Sequence, residues 1–346
     1  MREIYKNNNV QIYSADALEV YDLWDAPTTI ISDGPYGVGG YPGDPIKPDE
    51  LDVWYETHIK EWNKKATAET TLWFWNTEIG WATVHPVLKK YGWEYKNCHT
   101  WDKGIGHIAG NVNGKTMRKL PAVTEVCVQY VKKPVFQIDG DIVEMKEWLR
   151  REWKRSGLPL SKTNEACGVK DAATRKYFTQ CDLWYFPPAE AFEKLQQYAN
   201  QNGEPSGRPY FSVDGKQPLT GNEWSRYRAK FNFPHGVTNV WQEPPVKGEE
   251  RLKVGQKALH LNQKPLKFMD LTIRATSDEG DVVWEPFGGL CSATVAAQRL
   301  GRKAFAAEVS HEVFNHAVTR IEQDRELPKL DLKLIDEALM YQNQLI

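Results

Sequence analysis

The sequence predicts an α/β fold built on a mainly parallel sheet. Apolar β-forming residues at 282–285 lead into a glycine turn, and a helix is predicted at 294–300. A second apolar stretch, 303–308, is predicted as a strand that ends in an acid. This order is typical of nucleotide-binding α/β units, in which a helix N-terminus offers free N–H groups to a ligand. An acid at the second strand's end can accept hydrogen bonds from ribose hydroxyls.

A second informative pattern lies near the amino terminus. The β-branched run 28–31 predicts a buried strand, which ends at Asp33-Gly34-Pro35-Tyr36. Open parallel sheets bind ligands at the carboxyl ends of their strands, so the tetrapeptide is expected to line a ligand-binding cleft. The Gly- and Pro-rich stretch 37–48 is predicted as a loop over that cleft. Taken alone, the tetrapeptide is also consistent with a plain turn.

The remaining elements follow from hydrophobic periodicity. Strands are predicted at 10–13, 70–75, 93–101 and 123–130, and helices at 54–66, 81–91, 142–155 and 311–327. A short helix containing Ala166, a turn at Gly168-Val169 and a second helix from Asp171 indicate a helix-turn-helix. The alternative is an ordinary helical hairpin. Residues 200–230 are predicted to be irregular.

Composition limits the classes of function. The formal net charge of −2 gives no global basic field, so a nucleic-acid surface requires local segregation of charge. The five cysteines contain no C-x-x-C pair, which indicates reduced thiols in a cytoplasmic protein and no zinc site. No apolar run approaches about twenty residues, so no membrane span is expected.

The order of these motifs resembles the permuted, β-class DNA amino-methyltransferases of restriction–modification systems. The resemblance rests on Asp33–Tyr36, on His260-Leu261-Asn262-Gln263-Lys264-Pro265 and on Phe287-Gly288-Gly289. It implies a Rossmann-like, S-adenosylmethionine-dependent methyltransferase sheet with a mostly helical and irregular target-recognition insertion. The implied segments are a catalytic half (1–103), the insertion (104–240), a cofactor half (241–327) and a C-terminal tail (328–346).

The resemblance also implies a reaction, which is methyl transfer from S-adenosylmethionine to the N6 of an adenine flipped out of duplex DNA. The Asp33 carboxylate and the Gly34 carbonyl would accept hydrogen bonds from the amine, and Tyr36 would stack on the base. The implied catalytic residues are Asp33, Gly34, Pro35 and Tyr36. The implied cofactor-binding residues are Asp16, Ala17, Asp33, His260, Asn262, Lys264, Phe287, Gly288, Gly289, Cys291 and Glu308. The expected DNA-binding residues are Arg150, Arg151, Lys154, Thr174, Arg175 and Lys176, and no metal is expected.

The sequence departs from the family pattern at several positions. Gly34 replaces the usual first proline of the tetrapeptide, which is expected to make the turn less rigid. Cys291 replaces a glycine, Glu285 replaces an aspartate, and Leu261 replaces a proline.

Other functions stay open at this point. Cytosine-N4 methylation uses the same machinery, although an initial Asp in the tetrapeptide is more typical of adenine enzymes. A non-catalytic DNA-binding protein that keeps the fold is a second alternative. A nicotinamide oxidoreductase is disfavoured because no G-x-G-x-x-G follows a strand. The expected partner is double-stranded DNA. A homodimer and a cognate restriction endonuclease are left open, and no association with a membrane is expected.

Overall fold

The computed structural model describes residues 3–39, 45, 47–107, 115–247, 251–254, 257–259 and 263–326. The chain divides into two compact units. The larger contains Met1–Lys132 and Ala229–Ile346, and the smaller contains Lys133–Arg228. The expected C-terminal tail, 328–346, lies outside the described residues.

The secondary structure alternates between strands and helices over much of the larger unit. The strands are β1 (Ile4–Lys6), β2 (Val10–Ser14), β3 (Thr29–Ser32), β4 (Thr71–Asn76), β5 (Trp93–Asp102), β6 (Thr124–Lys132), β7 (Val135–Ile138), β8 (Asp141–Glu144), β9 (Val240–Gln242), β10 (Lys253–Val254), β11 (Lys257–Ala258), β12 (Val282–Glu285) and β13 (Lys303–Glu308). The helices are α1 (Leu51–Lys65), α2 (Glu78–Lys90), α3 (Met145–Arg155), α4 (Lys162–Ala166), α5 (Ala172–Tyr177), α6 (Ala189–Asn202), α7 (Gly221–Ser225), α8 (Leu266–Thr276), α9 (Ser292–Arg299) and α10 (His311–Glu326).

The main sheet of the larger unit has a parallel centre. Within the described residues its order is β1-β2-β13-β12-β3-β4-β6-β5-β9. Strands β2, β13, β12, β3 and β4 are parallel to one another, whereas β1 is antiparallel to β2, and β6 is antiparallel to both β4 and β5. The predicted α/β fold is therefore confirmed. Because β3 and β12 are parallel neighbours, the tetrapeptide and the glycine turn leave the sheet at the same edge.

Helices cover both faces of this sheet, which explains the apolar runs in its strands. All residues of β3 and β4 are buried, as expected for central parallel strands. Side chains alternate along β4: Leu72 and Phe74 join one core cluster with α1 and α2, while Trp73 and Trp75 join another with α8, α9 and α10.

The smaller unit has its own core, which is mainly aromatic. The Trp224 ring stacks on Phe192 at 4.3 Å and on Phe186 at 4.7 Å between ring centroids. A buried carboxylate, Glu152, accepts hydrogen bonds from Arg155, Arg208 and the backbone N–H of Phe211. Much of the high Trp and Tyr content therefore serves packing.

The predicted helix 142–155 was wrong at its start. Residues 141–144 form β8, which pairs with β7, and α3 begins only at Met145. Asp139 and Gly140 join the two strands with φ values of 52° and 86°. An Asp-Gly pair with positive φ at both positions is a preferred two-residue hairpin turn, so the local turn chemistry overrides helical periodicity here.

Candidate active site

The tetrapeptide Asp33–Tyr36 follows β3 directly, and its turn is held by two side chains. The carbonyl of Pro35 accepts hydrogen bonds from the Tyr55 hydroxyl at 3.1 Å and from Asn76 Nδ2 at 2.9 Å. These bonds fix the turn from α1 and from the end of β4. The turn is thus restrained from outside, although it lacks the first proline of the family pattern.

Gly34 is required here because the turn is crowded. A Cβ at this position would lie 2.6 Å from Cδ2 of Phe287 and 2.7 Å from the Tyr55 hydroxyl oxygen. Both distances are shorter than carbon atoms tolerate. The substitution of glycine for proline therefore allows the tetrapeptide to pack directly on the first residue of the glycine turn.

Two carboxylates and two ammonium groups form a charge cluster at Asp33. Lys264 Nζ lies 2.8 Å from Asp33 Oδ1 and 3.3 Å from Glu125 Oε2, at angles outside the usual range for hydrogen bonds. Lys103 forms an ion pair with the other oxygen of Glu125. The Lys264 side chain is only 3% exposed, so its charge depends on these carboxylates for compensation.

The pKa values of the cluster follow from burial and from these pairs. Burial alone lowers the pKa of Lys264, but Asp33 and Glu125 outweigh burial and raise that pKa above its ordinary value. Burial raises the pKa of Glu125, yet Lys264 and Lys103 leave it lower than usual. Both groups are therefore charged at neutral pH.

Tyr36 is buried and belongs to the same cluster. Its hydroxyl lies 2.9 Å from Asp33 Oδ1 and 3.2 Å from Glu125 Oε2. Burial raises the pKa of Tyr36 well above 10, and the negative charges of Asp33 and Glu125 add to this. The ammonium of Lys264 lies 5.1 Å from the centre of the Tyr36 ring, over its face.

The glycine turn after β12 packs against the end of β13. The N–H of Gly288 donates to the Ala307 carbonyl at 2.7 Å, and the N–H of Gly289 donates to Glu308 Oε2 at 2.7 Å. Glu308 also accepts from the N–H of Ser310 at 2.8 Å. Burial raises the pKa of Glu308, while these N–H groups act in the opposite direction.

The helix that follows the glycine turn does not present all its N-terminal N–H groups to a ligand. Glu285 is buried and accepts from the N–H of Ala293 at 3.0 Å and from the N–H of Thr294 at 2.7 Å. The expectation of free N–H groups is therefore wrong at these two residues. Burial raises the pKa of Glu285 to about 7, and its bonds to Thr294 and Ala293 oppose that rise.

The other cofactor candidates have local roles or lie outside the described residues. Asp16 is exposed and accepts from the N–H of Leu18 at 2.9 Å, so it caps the turn that begins at Ala17, which is buried. Phe287 packs on α1, with its ring 5.4 Å from Trp54. His260 and Asn262 lie outside the described residues.

The DNA-binding candidates all lie in the smaller unit, where several already have partners. Arg151 forms ion pairs with Asp141 and Glu147. The Thr174 hydroxyl contacts Thr163 at 2.7 Å and thereby joins α5 to α4. The Lys176 ammonium lies over the Tyr185 ring. Three candidates, Arg150, Lys154 and Arg175, have no ion pair or side-chain hydrogen bond to the described part of the chain, and Lys154 and Arg175 are exposed.

Sequence reasoning missed Glu125, Lys103, Tyr55 and Asn76. A polar residue that ends the apolar strand 71–75 was an available signal for Asn76. An acid at the start of the apolar strand at 126–130 was an available signal for Glu125.

Over the described part of the chain, His, Cys, Asp and Glu side chains nowhere form a group of three or more that could hold a metal ion. None of the described helices is both long and apolar enough to cross a membrane.

Parts of the chain are similar to two curated type II methyltransferases. The chain is 30% identical over 109 residues to the type II methyltransferase M.BamHI of Bacillus amyloliquefaciens, a match that covers 30% of this chain and 24% of that protein. It is 34% identical over 71 residues to M.HindIII of Haemophilus influenzae, which covers 20% of this chain and 23% of that protein. The chain thus matches about a quarter of the length of these curated relatives.

The fold has a counterpart among solved structures. The cytosine-N4-specific PvuII DNA methyltransferase superposes with a TM-score of 0.54 at 12% identity, covering 96% of this chain and 93% of that one. The predicted methyltransferase sheet is thereby confirmed.

A family profile described as DNA methylase matches residues 28–319. This match spans β3, the charge cluster, the smaller unit, the glycine turn and Glu308, which is most of the chain. It confirms the predicted recognition, and with it S-adenosylmethionine as the cofactor of the family. The chain belongs to the family of N6/N4 amino-methylating DNA methylases.

Proposed function

We propose that the chain transfers a methyl group from S-adenosylmethionine to the exocyclic N6 of adenine in double-stranded DNA. The observation that carries this proposal is the position of Asp33. Its carboxylate follows β3, beside the glycine turn that follows the neighbouring strand β12. An acceptor for the amine and the predicted cofactor turn thus leave adjacent strands at one edge of the sheet.

The residues at this edge suit the cofactor. Gly288 permits a close approach of two chain segments, because a Cβ there would lie 3.0 Å from the Ala307 carbonyl oxygen. The carboxylate of Glu308 accepts hydrogen bonds from backbone N–H groups, and it can also accept hydrogen bonds from ribose hydroxyls. We assign cofactor binding to Glu308, to the turn Phe287-Gly288-Gly289 and to Lys264. When bound, S-adenosylmethionine supplies an electrophilic methyl group.

Asp33 and the Gly34 carbonyl address the chemical difficulty of the reaction. The lone pair of an aromatic amine is delocalised into the ring, so the nitrogen is a poor nucleophile. Two acceptors directed at its two N–H bonds favour a tetrahedral nitrogen and stabilise the positive charge that develops there. Asp33 then holds the proton that the methylated nitrogen must lose. Holding the amine in place adds the effect of proximity.

The target base must leave the duplex to reach this site, so base flipping is part of the proposal. Tyr36 is the candidate for stacking on the flipped base, although in this structure Lys264 covers one face of its ring. The smaller unit is the candidate for selecting the DNA sequence. A cognate endonuclease, a homodimer and a cytoplasmic location are further expectations.

We propose adenine as the target base because the tetrapeptide begins with an aspartate, Asp33. Cytosine N4 is the second candidate. The PvuII enzyme, whose fold this chain shares, is cytosine-N4-specific, and a buried Ser32 precedes Asp33. Nucleoside digestion of methylated DNA distinguishes the two bases, and absence of any methylated base would favour a non-catalytic DNA-binding protein.

The test uses the full chain, labelled S-adenosylmethionine and a mixture of duplex fragments. We expect N6-methyl-2′-deoxyadenosine in DNA digests from the wild type. For Asp33→Asn we expect at least about a hundredfold lower rate, since removing one preorganised electrostatic group typically costs this much. Calorimetry should show that Asp33→Asn still binds the cofactor. The control is Asp22→Asn, which changes an exposed carboxylate of the same unit. A fully active Asp33→Asn variant would refute the proposed mechanism.

A further inference from the structure

Two groups at Asp33 are shared between the same pair of carboxylate oxygens. The Lys264 ammonium contacts Asp33 Oδ1 at 2.8 Å and Glu125 Oε2 at 3.3 Å. The Tyr36 hydroxyl contacts the same two oxygens, at 2.9 Å and 3.2 Å. Asp33 Oδ1 is the nearer oxygen in both cases. Glu125 Oε2 is therefore an alternative acceptor for both groups that occupy Asp33 Oδ1.

This sharing matters because an occupied Asp33 is a poor acceptor for an amine. The Tyr36 hydroxyl carries one proton and donates to one oxygen at a time. The Lys264 ammonium compensates the negative charge of whichever carboxylate it approaches more closely. With both groups on Oδ1, part of the negative charge of Asp33 is compensated, and the lone pairs of Oδ2 are left for an incoming N–H.

We propose that Glu125 is a positioning residue that takes over Lys264 and Tyr36 when the target amine reaches Asp33. This inference rests on the proposed function of Asp33. Glu125 lies on β6, across the site from Asp33, and its other oxygen is held by Lys103. For each group, the distances to Asp33 Oδ1 and to Glu125 Oε2 differ by about half an ångström or less. A movement of that size is therefore enough to make Glu125 Oε2 the nearer oxygen. Asp33 then faces the amine with its charge restored.

The charge balance of the cluster supports this role. Asp33 and Glu125 supply two negative charges, and Lys264 and Lys103 supply two positive charges. Without the charge of Glu125, Lys264 has one carboxylate left, which is Asp33. The ammonium would then remain on Asp33 during the reaction and compete with the amine.

Glu125→Gln removes the charge and keeps the shape of the side chain. We expect kcat to fall tenfold to a hundredfold, with the KM for S-adenosylmethionine and for DNA changed less than about threefold. Loss of one carboxylate also lowers the pKa of Lys264, whose positive charge the proposed cofactor binding requires. The alkaline limb of the pH profile of kcat/KM for S-adenosylmethionine should therefore move to lower pH. Glu125→Asp should restore part of kcat and return the limb toward the wild-type position.

Lys103→Met provides a matched variant with the opposite sign. It leaves Glu125 with Lys264 as its remaining ammonium partner in the cluster, so the attraction on Lys264 increases and the alkaline limb should move to higher pH. The other titratable groups that face the cluster are Tyr36, Tyr55, Cys127 and His107. The pKa values of Tyr36 and Cys127 are raised well above their ordinary range, chiefly by burial. The pKa of His107 responds to Glu125 and Lys103 in the same directions as that of Lys264, but it is lowered below its ordinary value, chiefly by burial, so His107 titrates on the acidic side and not on the alkaline limb.

The outcomes separate this inference from the proposed function. If Asp33→Asn is active, the proposed function falls, and this inference with it. If Asp33→Asn is inactive while Glu125→Gln keeps the wild-type kcat and pH profile, only the role of Glu125 is overturned. A purely structural role predicts loss of thermal stability in Glu125→Gln without opposite pH shifts in Glu125→Gln and Lys103→Met. If Glu125→Gln does not fold, the direction of the shift in Lys103→Met alone decides.

Discussion

Cys291 occupies a backbone position that favours glycine. Its φ is 55° and its ψ is 45°, which is the left-handed region, and its side chain is completely buried. A side chain in this region costs about 1 kcal/mol or more because Cβ approaches the following carbonyl oxygen. The family glycine at this position thus has a physical reason, and the cysteine here is a strained replacement.

The strain predicts an unusual order of stability for two substitutions. Cys291→Gly and Cys291→Ala both lose the buried sulfur, but only glycine relieves the backbone strain. We expect the glycine variant to be more stable than the alanine variant by about 1 kcal/mol, measured as the free energy of unfolding in urea.

The neighbouring helix provides the control for this comparison. Ala293→Gly, inside α9, should lower the free energy of unfolding by about 1 kcal/mol, because alanine normally stabilises a helix more than glycine does. An alanine variant of Cys291 that equals or exceeds the glycine variant would contradict the strain argument.

Individual residues of the candidate site were predictable where a motif carries them. Asp33, Tyr36, Lys264 and Glu308 were placed by their positions in recognisable motifs. Glu125 was not, because its position depends on the direction of β6. That strand is antiparallel to β4, with Val126 opposite Asn76. Its first residues therefore lie at the carboxyl edge of the parallel strands, which the sequence alone does not reveal.

The junction between β12 and α9 depends on Glu285. Its carboxylate binds the Thr294 hydroxyl and two N–H groups of the first helical turn. Burial raises its pKa from the ordinary 4.5 to about 7 in the folded chain. Between these two values the folded state binds more protons than the unfolded state. Stability should therefore fall as the pH rises from about 4.5 to about 7.

Glu285→Gln should remove this part of the pH dependence. The shift corresponds to an upper limit on the order of 3 kcal/mol, at about 1.4 kcal/mol per pKa unit. Urea midpoints between about pH 5 and pH 8 should decline in the wild type and decline less in the variant. Glu322→Gln, which changes an exposed acid on α10, should leave the wild-type slope unchanged. Identical slopes in all three proteins would contradict the assignment.

Most elements of the sheet were predictable because buried parallel strands are continuous apolar runs. The strands at 28–31, 70–75 and 303–308 match β3, β4 and β13 within a residue or two. The start of α3 was missed because the Asp139-Gly140 turn was not recognised. The order of strands was also beyond the sequence pattern, since β3 and β12 are neighbours separated by about 250 residues of chain.

Charge is distributed unevenly along the molecule as a whole. Residues 133–228 contain 15 Lys and Arg against 13 Asp and Glu, a formal charge of +2, whereas the whole chain carries −2. The smaller unit is thus the more basic of the two. The difference is modest, so the positions of individual cations matter more than the total.

Arg175 is the cation through which this unit can be tested for sequence selection. It is exposed on α5, whose Thr174 contacts Thr163 of α4, so the helix pair holds Arg175 on a defined surface. If Arg175 contacts a base edge, Arg175→Ala should reduce affinity for the specific duplex by about 1–3 kcal/mol and relax the choice of sequence. If it contacts phosphate alone, affinity should fall about equally for specific and scrambled duplexes, and the salt dependence should decrease.

Filter binding at two salt concentrations, on the specific and the scrambled duplex, distinguishes these outcomes. Lys216→Ala, which removes an exposed cation in a loop of the same unit, is the matched control and should change neither affinity nor the methylated sequence. If α4 and α5 form only a helical hairpin with a packing role, Arg175→Ala will behave like that control. Unchanged affinity and an unchanged methylated sequence would therefore remove α5 from the recognition surface, while a loss confined to the specific duplex would assign base reading to it.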